Sequence, residues 1–487
     1  MRITKTDYLN YLTCPEFAWL EKHKPYAVDT EPSGYEQKLI RDGYEVEKYA
    51  QEIFPDGQMS DHVFTKEHKP EKSCLFQPTF VTDDGLEART DILQNEESAF
   101  NIYEVKSSTS IKERAGRDHI RDVAFQKIVL ERCGLTVARV NIIHLDSDYI
   151  REDGLDLEGI FKIEDVTDRV DDIKNRVADE IEDLKNLMQK DAIDEGSCSC
   201  RLKTRSNHCH AFTYFNGQKP ATSIYNIPRI SENKIRSLLN DGVEGMANVP
   251  AGFDLSEKQQ IYVQAAKADT PQIDKNEIKQ YLSEYTYPIH FLDYETYQPA
   301  VPKLKGTGPH SHTPFQASLH ILSEDGDLQH FEYLNDELTH PKDLADFLQE
   351  SVKENGSVVV WSDRFEKNRN KEMGEQFSAY KEFFMNLNER MVDQEDIFKT
   401  AYVHPDAAGS TSLKSVLPAL PVNISYDDLS IQGGTMAMEQ WEGMVTSDMS
   451  DQEKGKRREE LLAYCKLDTL SMVKIYQFLR GEFNGQK

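Results

Sequence analysis

The sequence predicts an α/β protein of two units joined by a small helical connector. Three observations predict it. Strand-like apolar segments alternate with a helical period between Phe76 and Leu145. A second apolar strand, Ile289 to Glu295, opens another alternating stretch that runs to the end of the chain. Between them, residues 222–285 carry short apolar periods separated by turns. A chain of 487 residues, at roughly 100–200 residues per domain, has room for this division. The boundaries fall at 1–215, 216–285 and 286–487.

Taken in order, residues 1–60 read as helical, through Tyr8 to Leu12, Phe17 to Leu20 and Glu36 to Ile53. Phe100 to Lys106 has strand composition, Asp118 to Cys133 a helical period, and Ala138 to Leu145 strand composition again. Residues 164–190 predict an amphipathic helix, because Val166, Val170, Ile173, Val177, Ile181, Leu184 and Met188 recur at steps of three or four. In the connector, Ile235 to Leu239 and Leu255 to Gln260 suggest short helices. Val358-Val359-Val360 is a further buried strand, and Tyr464 to Asp468 lies in a helix.

The chain carries 57 Lys and Arg against 85 Asp and Glu, a net charge of −28. Residues 151–196 hold 16 acids against 7 Lys and Arg, so one solvated segment supplies about a third of the excess. Such a field excludes passive coating of nucleic acid by a basic surface. It leaves room for a nuclease, whose sites are themselves built from carboxylates. No apolar run approaches the ~18 residues of a spanning helix, and Met1 to Asp7 lacks an apolar signal core. A cytoplasmic location without membrane attachment is therefore expected. Seven cysteines without an export signal make a poor disulfide framework. Three of them, Cys198, Cys200 and Cys209, crowd together as metal ligands do.

Two stretches carry acids in chemically useful patterns. Glu104 and Lys106 are i and i+2 on a predicted strand, hence on one face, and Asp91 sits on the preceding hairpin strand, before a polar turn over Gln94 to Ser98. Two carboxylates bind a divalent cation through oxygen, and a Lys beside them stabilises charge on a phosphate. Asp293 and Glu295 repeat the i, i+2 pattern at the end of an apolar strand, where unpaired charge is costly unless a cation binds it. Tyr464 and Asp468 are i and i+4 on one helix face.

The first set resembles the PD-(D/E)xK nuclease core in its RecB and Cas4-like branch. The resemblance implies a restriction-endonuclease-like fold, with Asp91 and Glu104 as metal ligands and Lys106 and Gln126 in the site. Gly43 to Glu47 resembles the upstream helical motif and makes Glu47 an additional acidic contributor, where many relatives carry a His. Lys112, Arg114, Arg117, His119 and Arg121 form a basic strip beside it, read as phosphate contacts or as a solvated helix start. In Cas4-like and AddB-like nucleases one early and three late cysteines hold a [4Fe–4S] cluster. The match here is Cys14 with Cys198, Cys200 and Cys209. The Cys-x-Cys spacing is tighter than usual and leaves zinc open, with His208 or His210 as a substitute ligand. Cys74, Cys133 and Cys465 read as ordinary buried thiols.

The second set resembles the DEDD exonucleases of RNase H-like fold. Asp293 and Glu295 match the first motif. Phe365-Glu366 matches the second, where the acid is normally Asp, with Asp363 as a fallback. Tyr464 and Asp468 match the third, in its tyrosine form, because position 463 is Ala. The resemblance implies that Asp293, Glu295, Glu366 and Asp468 hold two metal ions, Mg²⁺ or Mn²⁺, and that Tyr464 orients the attacking water. Lys414 reads as a phosphate contact or a surface lysine, and His320 and His404 read as structural. Pro314 to His320, Gly409 to Pro418, Tyr426 to Leu429 and Gly433-Gly434 extend the likeness to a bacterial family of predicted RecB-type nucleases that fuses the two halves. The implied function is a metal-dependent nuclease with two sites that processes single-stranded or frayed ends, DNA favoured over RNA. Two other readings are a non-catalytic nucleic-acid-binding scaffold, which a helix-hairpin-helix-like pattern at Ile230 to Val243 would suit, and a redox- or iron-responsive regulator.

Overall fold

The computed structural model describes every residue except 97, 98, 115, 221 and 484–487, so the end of the expected polar turn, Glu97-Ser98, lies outside the described residues. The chain is mixed α/β and folds as two units. One is Met1–Gln218 with Pro299–Ser311; the other is Lys219–Gln298 with His312–Lys487. The stretch read as a connector is thus grouped from residue 219 with the second unit, and a short loop beyond it with the first.

In the first unit, helix α1 (Lys5–Thr13) starts at a capping box in which Thr4 and Asp7 satisfy each other's backbone. Cys14 separates it from α2 (Pro15–His23), whose Pro15 takes the first helical position. A longer helix, α3, covers Gly34–Gln51. The main sheet has strands β1 (Gln58–Met59), β2 (Cys74–Phe76), β3 (Ile92–Glu96), β4 (Ala99–Lys106), β5 (Val137–Leu145) and β6 (Phe161–Asp165). Their order is β6-β5-β4-β3-β2-β1, and β4 and β5 are parallel. Helix α4 (His119–Arg132), capped by Asp118, makes the crossover between them. Along β4 the period of two sends Phe100 and Ile102 into the core with Val123 and Phe125 of α4, and Tyr103 and Val105 to the other side. Glu104 and Lys106 therefore face α4.

Helix α5 (Thr167–Met188) buries the expected Val170, Val177, Ile181, Leu184 and Met188. It begins later than its period suggests, because residues 161–165 pair antiparallel with β5 instead. The alternation of Phe161 and Ile163 with Lys162 and Glu164 suits an edge strand whose charges discourage further pairing. The loop Pro299–Ser311 lies on this unit, where Pro302 O accepts from Arg151 Nη1 at 2.8 Å and His310 Nε2 meets Ser107 O at 2.7 Å.

In the second unit, α6 (Glu232–Asn240), α7 (Glu257–Ala268) and α8 (Lys275–Ser283) precede the sheet. Ile278 and Leu282 of α8 are part of the same core as Ile289 and Phe291. The strands are β7 (Ile289–Tyr297), β8 (Thr313–Leu322), β9 (Leu328–Leu334), β10 (Val358–Val360) and β11 (Met391–Asp393), ordered β9-β8-β7-β10-β11. β7 is central, antiparallel to β8 and parallel to β10. Helices α9 (Lys342–Ser351), α10 (Asp363–Gln376) and α11 (Lys381–Glu389) pack on one face, against Leu292 and Tyr294. Helices α12 (Gly434–Thr446) and α13 (Asp451–Phe483) share the opposite core with Phe291 and Tyr297. Asp293 and Glu295, between these last two in the period, face α13.

Ser362, at the β10–α10 junction, has φ +72°, a conformation that strains a residue with a Cβ. Ser362→Gly is expected to stabilise the protein by up to about 1 kcal/mol. The urea midpoint measures this.

Candidate functional site

In the second unit the sheet and α13 bring Asp293, Glu295 and Asp468 together, with one oxygen from each within 4.8 Å of the others. Asp468 Oδ1 accepts from Tyr426 Oη at 2.5 Å, and the Cys465 thiol donates to Asp293 Oδ2 at 3.5 Å. Glu366 stands in the first turn of α10 at 3% exposure, and its Oε2 has no hydrogen-bond partner among the described residues. A buried carboxylate oxygen without a donor is costly, and a bound cation would satisfy it.

The electrostatics agree. Burial, and then the charge of Asp468, push the Asp293 carboxyl well above its usual range. Burial and Asp293 do the same to Glu295 and to Glu366. Asp468 is pushed up to about 6, mainly by burial. Four acids held in like-charge proximity fit a divalent cation. Asp363, the fallback acid, is paired with Lys367 one turn on.

Tyr464 is buried, one turn before Asp468. Lys414 Nζ donates to its hydroxyl at 3.0 Å and to Gln432 O at 2.6 Å, and lies over the rings of Tyr464 and Tyr426. The start of α12 closes the other side, where a Cβ at Gly434 would stand 3.3 Å from Glu295 Oε2. Tyr426 and Cys465 are contacts that spacing did not single out. Cys465 follows Tyr464 directly, but nothing local aims Tyr426 at Asp468, 42 positions away. His320 is structural, bonded to Thr469 Oγ1 at 2.8 Å, and His404 caps the short turn Pro405–Ala407.

In the first unit the expected acids and lysine also converge. Asp91 sits in a bend before β3 rather than on a strand, and its Oδ2 accepts from Val105 N at 2.7 Å. Lys106 Nζ donates to Glu104 Oε1 at 2.8 Å and to Asp122 Oδ2 at 2.6 Å. Gln126 Nε2 donates to Glu104 Oε2 at 2.7 Å and to Asp122 Oδ1 at 2.9 Å. A second ammonium joins them. Lys5 Nζ lies 2.7 Å from Glu104 Oε1 and 3.2 Å from Asp122 Oδ1. Burial alone would raise the Glu104 carboxyl, but Lys106 and Lys5 outweigh it and hold it well below its usual range. Asp91 is raised, by burial, Glu104 and, less strongly, Glu47. Glu47 itself accepts from Gln77 Nε2 at 2.7 Å.

Asp91 and Glu104, expected as a metal-binding pair, are therefore already served by two ammonium groups and two amide donors. Sequence reasoning missed Asp122 and Lys5. Asp122 is legible in retrospect, four residues before Gln126 on one face of α4. Lys5 is not, being 99 positions from Glu104.

The basic strip is divided. Lys112, Arg114 and Arg117 lie near one another, and burial together with the two arginines lowers the Lys112 ammonium. Arg121 instead pairs with Glu180 at 3.0 Å. His119 is pushed down to about 4 by burial and by Lys106.

The cysteines Cys14, Cys198, Cys200 and Cys209 are all buried, and their sulfurs lie within 4.8 Å of one another. The proposed substitutes stand apart. His208 stacks on Phe212 and meets Lys203 O at 3.2 Å, and His210 lies 3.7 Å from Glu36. Burial pushes Cys74 and Cys133 up to about 11, as expected of inert thiols.

Comparison with known proteins gives likenesses without a stated activity. A family model described as a domain of unknown function, DUF2779, matches residues 290–412. This span holds Asp293, Glu295 and Glu366 and stops before Asp468. The chain is 27% identical over 157 residues to the uncharacterized protein MG366 homolog of Mycoplasma pneumoniae, covering 30% of this chain and 24% of that protein. It is 25% identical over 210 residues to the uncharacterized protein MG366 of Mycoplasma genitalium, covering 39% of this chain and 32% of that one. The alignments thus span a third or less of the length of these relatives.

Proposed function

We propose that this protein is a metal-dependent nuclease that hydrolyses phosphodiester bonds at Asp293, Glu295, Glu366 and Asp468. One observation carries the proposal. Three carboxylates meet within 4.8 Å, in surroundings that penalise their charge. On this reading the second unit is RNase H-like and its acids follow the DEDD pattern, with Glu366 reaching from α10 in place of the usual Asp. The first unit has the PD-(D/E)xK core. Mg²⁺ or Mn²⁺ bound by these acids would activate water and stabilise charge on the phosphate oxygens. Lys414 donates to the Tyr464 oxygen, and the phenolic hydroxyl faces Asp468, so Tyr464 would orient a water at the acids.

The substrate proposed is a single-stranded or frayed nucleic-acid end, DNA before RNA. The net charge of −28 repels long duplexes, so entry relies on local cations and is salt-sensitive. Lys112, Arg114 and Arg117 are the proposed phosphate contacts in the first unit. Its acids are assigned no hydrolytic step, because Lys5 and Lys106 hold Glu104 and Asp122 in ion pairs.

The test uses end-labelled single- and double-stranded DNA and RNA with Mg²⁺ or Mn²⁺. Cleavage by the wild type is expected to vanish with a chelator. Loss of a partner that merely orients a metal ligand costs about 10–100-fold, so Asp293→Ala is expected to lose at least about 100-fold. Lys106→Ala should retain cleavage. Equal activity of wild type and Asp293→Ala would remove the proposal.

A further inference from the structure

We propose that Cys14, Cys198, Cys200 and Cys209 hold a single tetrahedral zinc ion rather than the iron–sulfur cluster that the Cas4-like resemblance implies. The inference is independent of the nuclease proposal and rests on the size of the cage. Four sulfurs that share one ion at ~2.3 Å stand about 3.8 Å apart. In a [4Fe–4S] cube each thiolate binds a different iron and points away from the centre. A metal–sulfur bond of ~2.3 Å added outward on each iron then separates the sulfurs by roughly 6 Å or more. Here all four lie within 4.8 Å of one another. The cage is sized for one ion and is too small for eight cluster atoms.

The local structure shows how the chain makes so small a cage. Cys198 leads into the 3-10 turn Ser199–Leu202, which carries Cys200, so a single intervening residue serves two ligands. Cys14 comes from the break between α1 and α2, and Cys209 from the segment after the second turn, Arg205–Asn207. With four protein sulfurs and no open position, the site has the composition of a structural zinc centre.

The surroundings suit a charged thiolate cage. Asn216 Nδ2 donates to Cys198 Sγ at 3.2 Å, and Ser199 Oγ reaches Cys14 Sγ at 3.9 Å. Lys203 Nζ is fixed nearby on Thr13 O at 2.5 Å. On binding, four thiols become thiolates, their protons pass to solvent, and no electron is transferred. The ion would join the α1–α2 break to the segment that closes the unit. Since α1 also carries Lys5, it would hold that ammonium in register with Glu104.

The full chain, expressed with iron and zinc both supplied and purified without oxygen, is assayed for zinc, iron and acid-labile sulfide. The expected result is one zinc per chain, with iron and sulfide at background and no visible absorption. Cobalt exchanged into the wild type should give the intense visible bands of tetrahedral cobalt thiolate. Cys133→Ser should keep full zinc content, and a strong chelator should lower the thermal midpoint of the wild type. A brown protein with about four irons and matching sulfide would overturn the proposal. So would a single ferric–thiolate iron, or a folded chain without metal whose midpoint zinc does not raise.

Discussion

Asp293→Asn is expected to abolish divalent-ion binding in the second unit and, at the same time, to make the metal-free protein more stable. Both effects come from the same charges. Asp293, Glu295 and Asp468 crowd together, and Glu366 adds a fourth acid. Burial raises all three carboxyls, and the charge of neighbouring acids adds to it at Asp293 and Glu295. Asparagine keeps the shape and removes one charge. A gain of about 1 kcal/mol is expected, or ~2–4 °C for a unit of this size.

The pH dependence has a definite sign. A carboxyl raised in the folded state binds its proton more tightly there than in the unfolded chain. For Asp468 the folded value is about 6, against about 3.9 unfolded. Its contribution to the stability of the metal-free protein therefore grows as pH falls from about 6 towards about 4. Metal binding runs the other way, because protons compete for the same oxygens. Mn²⁺ affinity is expected to fall as pH drops through about 6, which a calorimetric titration at several pH values would record.

Lys5→Met is expected to have a comparably large effect of opposite sign. The substitution keeps the aliphatic stem and removes an ammonium from between two nearly buried carboxylates. Breaking a buried ion pair costs about 3–5 kcal/mol. The low end, roughly 3 kcal/mol, applies here because Lys106 still serves both acids and Lys5 is partly open to solvent. Without it, the oxygens of Glu104 and Asp122 keep only Lys106 and Gln126 as donors. A Lys5→Met protein as stable as its parent would show that the ammonium is not held between those acids.

These two positions also mark what sequence does and does not disclose. Asp293 and Glu295 were legible because a strand repeats every second residue, and Tyr464 and Asp468 because a helix stacks i on i+4. Glu104 and Lys106 followed from the first rule as well. Cys198, Cys200 and Cys209 stand out by crowding, whereas Cys14 is marked only by the resemblance to Cas4-like nucleases. Lys5 carries no such mark. Its helix start is signalled by Thr4 and Asp7, but its reach to Glu104 depends on how α1 lies beside β4. Tyr426 is similar, because only tertiary packing aims its hydroxyl at Asp468. The edge strand Phe161–Asp165 was hidden by the strong helical period that follows it, which reads smoothly back to residue 164. The short loop grouped with the first unit was hidden because its partners, Ser107 and Arg151, are distant in sequence.

The central claim is that Asp293, Glu295 and Asp468 form a divalent-metal site. Electron paramagnetic resonance of Mn²⁺ added to the full chain tests it most directly. The account predicts that the wild type removes the free Mn²⁺ signal, that Asp293→Asn and Asp468→Asn leave it free, and that Lys106→Ala binds as the wild type does. Mn²⁺ bound equally by the wild type and Asp293→Asn would contradict it.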